Sequence, residues 1–192
     1  MGKISISKPD EGIAWGALYW QYFEDLDKIT PHQTPMKIEK KLFLEQNTPS
    51  GPVLKEIGTS LNGAILSGDY SQLKKGDRLK VRIILSVDRS LEFVHLKDMR
   101  ASGFEPVISS ASKDGGGAVS GYRYQGGLGY YQSTTDAATN FFFDYLPKGT
   151  WVFEYPLLVN AAGDYSNGIT TIQCTYAPEF AAHSEGIRVK VE

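Results

Sequence analysis

The sequence predicts an all-β protein, an antiparallel two-sheet β-sandwich, and three observations carry that expectation. In "GDRLKVRIILSVDRS" (76–90), Leu79, Val81, Ile83, Leu85 and Val87 alternate with Lys80, Arg82 and Ser86. That period of two belongs to a strand with one buried face. The apolar segments are short, and Gly- and Pro-rich turns separate them at regular spacing. The 11 tyrosines, 9 phenylalanines and 20 glycines suit aromatic strands joined by tight turns.

The elements follow in order. Residues 4–23 contain "GIAWGALYWQYF", in which Ile13, Trp15, Ala17 and Tyr19 alternate with Leu18, Trp20 and Tyr22. An apolar set on each side predicts a strand buried on both faces or covering an interface. The two glycines and the aromatics disfavour a helix. "KIEKKLFLEQN" (37–47) predicts a strand and "PSGP" (49–52) a turn. Residues 53–73 read as loop with short strands. The strand at 76–90 is followed by "LEFVHLKDM" (91–99), its hairpin partner or the next strand.

"SSASKDGGGAVSG" (109–121) reads as a loop, because three successive glycines preclude a rigid element. "YRYQGGLGYYQS", "ATNFFFDYL" and "WVFEYPLLVNAAG" are strands, with "PKGT" (147–150) a turn and Pro156 marking an edge or a bulge. "GDYSNGI" reads as a turn. "TTIQCTYAP" puts Ile172, Cys174 and Tyr176 on one face, and "IRVKVE" closes the fold with Ile187, Val189 and Val191 on one side. A single domain over 1–192 is expected, with 1–75 supplying N-terminal strands and loops and 76–192 the main sandwich.

Charge and composition narrow the function. Twenty basic against 22 acidic residues, a net charge of -2, give no basic field for nucleic acid. No apolar run is long enough to span a bilayer as a helix. Met1-Gly2-Lys3 leads straight into "ISIS" without a signal peptide, which fits a cytosolic protein or a segment of a longer exported one.

Chemistry has few footholds. The single cysteine, Cys174, lies on the apolar parity of its strand, which predicts a buried thiol with no cationic neighbour to activate it. His183, nine residues on, reads as a surface loop residue. His32 and His95 stand alone, so no transition-metal or catalytic site is expected, and "DLD" (25–27) is too sparse for a calcium loop. "GYRYQGGLGYY" does not match the dinucleotide fingerprint and implies no cofactor. Its tyrosines offer a stacking platform for sugars or pack on their own core.

Four phrases taken together, "IAWGALYWQYFE" (13–24), "GDRLKVRIILSVDRSLEFVHLKDMRASGFEP" (76–106), "FFFDYLPKGTWVFEY" (141–155) and "TYAPEFAAHS" (175–184), resemble the C-terminal domain of bacterial α2-macroglobulins. The resemblance implies a macroglobulin or immunoglobulin-like sandwich with an N-terminal strand extension. It implies a non-catalytic last domain of a very large, cell-envelope protein, periplasmic or extracellular, that traps proteases. The domain's partners would be sibling domains of the parent and, through the parent, target proteases. Many members carry a thioester from a C-x-E-Q motif in an upstream helical domain, which the last domain helps keep dry. "FLEQ" (43–46) is close to that motif, but Phe43 replaces the sulfur a thioester requires.

A shielding contact wants large rings with wet hydroxyls. The candidates for interdomain contact are Tyr130 and Tyr131 beside "GGLG", Tyr165 within "GDYSNG", and Tyr176, which its parity places equally in a core. The rival expectation is a carbohydrate-binding or adhesion module of the envelope built on the Tyr-rich strands.

Overall fold

A computed structural model describes residues 4–16, 21–57, 73–107 and 120–192. In chain order the strands are β1 (Met36–Thr48), β2 (Gly51–Ile57), β3 (Arg78–Val87), β4 (Leu91–Met99), β5 (Phe104–Pro106), β6 (Ser120–Gln125), β7 (Leu128–Thr134), β8 (Ala138–Leu146), β9 (Gly149–Val159), β10 (Gly163–Ser166), β11 (Thr170–Cys174), β12 (Ala181–His183) and β13 (Arg188–Val191). One sheet runs β2-β1-β3-β9-β5, the other β12-β11-β4-β8-β7-β6, and β10 pairs with β13 in a small third ribbon. Every strand pair is antiparallel. The all-β class is as the sequence predicts, and the one helical element among the described residues is a short 3-10 turn, Leu26–Lys28.

The expected alternation holds in β3, where Leu79 through Val87 are buried at every second position. These side chains meet Phe141 and Phe143 from β8, Val94 and Leu96 from β4, and Ile172 and Cys174 from β11 across one core. The turn between β6 and β7 is the two-residue loop Gly126-Gly127, with φ of 56° and 88°. Positive φ at both positions matches the right-handed twist of a hairpin, and glycine adopts it without a Cβ clash.

Four expectations change. Residues 4–16 and 21–25 form no strand, and Ile13, Trp15, Tyr22 and Phe23 are exposed; Ala17–Trp20 lie outside the described residues. Alternation supplied the apolar faces, but no described strand pairs with this segment's described residues. β4 is the next strand but not β3's hairpin partner: "DRS" turns the chain from one sheet to the other. "GDYSNG" is largely β10, because its backbone finds Arg188–Val191 to pair with despite its turn-forming residues. His183 is not in a loop. It belongs to β12, pairs with Thr171, and exchanges backbone hydrogen bonds with His32.

With β12 and β13 following, Cys174 lies in the third strand from the end. Most of "SSASKDGGGAVSG" and of 53–73 lies outside the described residues; β2, the buried Leu73 and the start of β6 are the parts that do not. Pro156 sits where β5 runs out. Its carbonyl accepts a hydrogen bond from Val107, so its missing N–H faces that open edge and not β3.

The core also contains charge. Lys40 on β1 and Asp98 on β4, from opposite sheets, are fully buried with Nζ 2.7 Å from Oδ1. Lys40 Nζ also donates to the Met99 carbonyl at 2.5 Å. Asp98 accepts from Thr170 Oγ1 at 2.6 Å and from the Tyr155 hydroxyl. Arg100 is committed elsewhere, to Thr139 Oγ1 and the carbonyls of Thr135, Asp136 and Ala138.

Candidate functional site

The outer faces of the two sheets differ in chemistry. On the five-stranded sheet the outward face carries paired charges, with Ile84 and Val152 set among them. Arg82 Nε lies 2.5 Å from Glu154, Lys80 3.8 Å from the same carboxylate, and Lys41 bridges Glu39 and Glu56 at 3.0 and 3.7 Å. Arg82 also covers the Phe43 ring. Such a face is at home in water.

The six-stranded sheet presents rings instead. Register places Gln173, His95, Phe142, Tyr131 and Tyr122 directly opposite one another across β11, β4, β8, β7 and β6. Adjacent rings touch along this row. His95 stacks on Phe142 at 4.5 Å with planes 3° apart, Phe142 lies 6.4 Å from Tyr131, and Tyr131 meets Tyr122 edge-on at 5.2 Å. Asn140 fixes the His95 ring through a 3.0 Å hydrogen bond to Nε2. Tyr122, on the edge strand β6, is 83% exposed, and Phe142, in the interior of the sheet, is still 41% exposed.

A second row completes the patch. Tyr124 lies beside Gly129 on the same side of β6, and a cleft of about 830 Å³ opens between Tyr122, Tyr124, Tyr131, Phe142 and Asp144. At the other end, Phe93 and Tyr176 meet edge to face at 5.3 Å. Phe93 has φ of +51°, the one positive value at a non-glycine residue among those described. A bulky side chain is strained there, and such strain concentrates at binding surfaces.

The sequence-derived tyrosines fall in different places. Tyr130 turns inward, with its ring 5.5 to 5.8 Å from Phe153, Phe143 and Phe141, and burial raises its hydroxyl pKa. Tyr131, its neighbour, is in the outer row. Both belong to β7 rather than to the turn. Tyr165 lies in β10, its ring over Gly103 and Gly163, where an added Cβ would come within 2.6 and 2.7 Å. Its hydroxyl donates to the Ala161 and Ala162 carbonyls. Tyr176 lies past the end of β11, 80% exposed, so strand parity does not carry it into the core. Sequence reading missed Phe93 and Phe142, and reached Tyr122 only as one of the tyrosines of "GYRYQGGLGYY". The run "NFFFD" was the available signal, since three consecutive rings in a strand must put one outside.

Among the described residues no cluster of acidic, His or Cys side chains has the makings of a metal site. Cys174 is 4% exposed, and burial raises its thiol pKa, with Glu179 adding to the effect. "FLEQ" is the middle of β1.

Residues 36–179 match the family described as the bacterial alpha-2-macroglobulin MG10 domain. The chain belongs to that family. Solved structures agree on the MG10 fold. Trypsin-activated alpha-2-macroglobulin from Escherichia coli aligns with a TM-score of 0.58 at 14% identity, over 85% of this chain and 11% of that one. Salmonella alpha-2-macroglobulin reacted with methylamine gives 0.55 at 17%, over 85% and 10%. A native E. coli fragment from domain MG7 to the C-terminus gives 0.54 at 14%, over 83% and 24%. This MG10 chain thus spans about a tenth of the longer structures it matches. No curated protein matches the sequence. The family match begins at β1, so the exposed Ile13, Trp15, Tyr22 and Phe23 lie outside it.

Proposed function

We propose that this MG10 domain is a non-catalytic docking module of an alpha-2-macroglobulin-like protease inhibitor of the bacterial envelope. It works as one sandwich domain in a longer chain. It seats the outer face of its six-stranded sheet on a sibling domain and so helps shield a thioester carried elsewhere in the parent. Target proteases engage the parent rather than this domain.

The contrast between the two outer faces carries this reading. The charged sheet face is satisfied by solvent and its own ion pairs, whereas the ring-bearing face leaves large apolar area uncovered. Tyrosine and phenylalanine with few charges, edged by polar groups such as Asp144, Asn140 and Gln173, are the composition of an interface centre and rim. Tyr131 and Tyr176 are the candidate contact tyrosines that this face presents. Tyr130 supports it from within through Phe141 and Phe143, whereas Tyr165 packs on Gly103, Gly163 and Phe104 and takes no part in this face.

The test is made in the parent protein. Tyr131→Ser with Phe142→Ser should speed thioester loss to methylamine before any protease is added, while a Lys80→Ser control on the charged face should not. An unchanged thioester lifetime would remove the shielding role. Retention of glycans by the 192-residue chain, lost in the same double variant, would instead assign the cleft at Tyr122, Tyr124 and Asp144 to the carbohydrate-binding alternative.

A further inference from the structure

We infer that Lys40 and Asp98 condense into an intramolecular isopeptide bond, a covalent cross-link between the two sheets of the sandwich. The pair meets the geometric needs of that reaction. Nucleophile and carboxyl are in contact at 2.7 Å and both side chains are 0% exposed. They come from β1 and β4, strands of opposite sheets: Lys40 is paired with Ile83 of β3, and Asp98 with Thr139 of β8 and Thr170 of β11. Encounter therefore costs no further ordering, the condition under which an otherwise slow bimolecular step becomes fast.

The surroundings favour the product. An ion pair in this place holds two full charges away from water, and attraction repays that only in part. Condensation removes both charges. Burial lowers the Lys40 pKa against the opposing pull of Asp98, which brings the neutral amine within reach. Tyr155 donates to Oδ2 of Asp98, where negative charge collects as the carboxyl carbon is attacked. The amide that results finds both partners already in place. Its N–H inherits the Met99 carbonyl that Lys40 Nζ now contacts, and its carbonyl inherits the Tyr155 hydroxyl.

The step balances without a further reactant. A proton passes from the Lys40 ammonium to Oδ1 of Asp98, giving an amine and a carboxylic acid. The Nζ lone pair attacks Cγ and the N–C bond forms. The Cγ–Oδ1 bond breaks, and Oδ1 leaves as water with the proton it received and a second one from Nζ. Thr170, which donates to Oδ1, lies beside the departing group.

Mass spectrometry of the full chain under denaturing conditions decides the matter. The expected mass is that of the sequence less one water, and digestion should yield a branched peptide joining the segments around Lys40 and Asp98. Lys40→Arg, which keeps the positive charge but is a far weaker nucleophile, and Asp98→Ala should both return to their full sequence masses. A wild-type mass equal to that of the sequence, with Lys40 open to acetylation once the chain is unfolded, would overturn the inference. That readout needs no variant to fold.

Discussion

Tyr130 and Tyr131 are neighbours in the chain whose rings serve opposite faces of β7: Tyr130 meets Phe153 edge-on at 5.5 Å inside the sandwich, and Tyr131 meets Tyr122 edge-on at 5.2 Å outside it. The two substitutions should separate cleanly. Tyr130→Ala should cost about 3–5 kcal/mol, as for loss of a large core ring. Tyr131→Ala should cost less than about 1 kcal/mol, the scale of a cross-strand pair. Urea unfolding of both variants checks this, and equal losses would contradict the assignment of faces.

The Cys174 thiol should be inert in the folded protein. It is buried, and its pKa is raised by burial and by Glu179, so little thiolate forms. Labelling with a disulfide reagent should be slow natively and fast in denaturant. Cys174→Ser should cost roughly 1–3 kcal/mol, from a buried hydroxyl without a ready partner.

Gly168 should not accept a side chain. Its φ is +75°, and a Cβ there would come within 2.6 Å of Met99 Cβ. Gly168→Ala should destabilise by about 1–3 kcal/mol, seen as a lower denaturation midpoint with an unchanged m-value.

Alkaline pH should unfold the protein through Tyr155. Burial, the largest cause and one that does not depend on the charge of Asp98, holds its hydroxyl pKa well above the ordinary 10.0. The unfolded chain ionises at the ordinary value and the folded one does not. Above that value the folded state binds more protons, and stability falls as pH rises. Below it the group contributes its full stabilisation. Denaturant midpoints measured from neutral to strongly alkaline pH should show this decline, and Tyr155→Phe should flatten it.

How much of this was legible in the sequence depended on whether a neighbour far along the chain was involved. The alternation of Leu79 to Val87 gave β3 directly, because one buried face imposes a period of two whatever the partner. The same alternation cannot name the partner, so the passage of β4 into the other sheet was invisible. "GDYSNG" looked like a turn because its residues favour one, yet pairing with β13 outweighs local preference. The aromatic row needed register. His95, Phe142 and Tyr131 lie far apart in sequence and become one surface only when three strands align. Lys40 and Asp98 did leave a trace. Each occupies the apolar parity of its strand, between Ile38 and Leu42 and after Val94 and Leu96, where a charge is out of place unless it has a buried partner.

Pro156 bears on how this chain avoids sticking to copies of itself. Beyond β5, the outward backbone groups of β9 pair with no described strand, the kind of margin on which a foreign strand could be recruited. At Pro156 such a strand would find no donor, and the carbonyl there is already taken by Val107. Four residues earlier, Gln125 from the other sheet occupies the Val152 carbonyl at 2.6 Å. A would-be fibril therefore meets interruptions at both ends of this stretch. Replacing Pro156 with valine and Gln125 with alanine would turn a margin closed to growth into a template for aggregation.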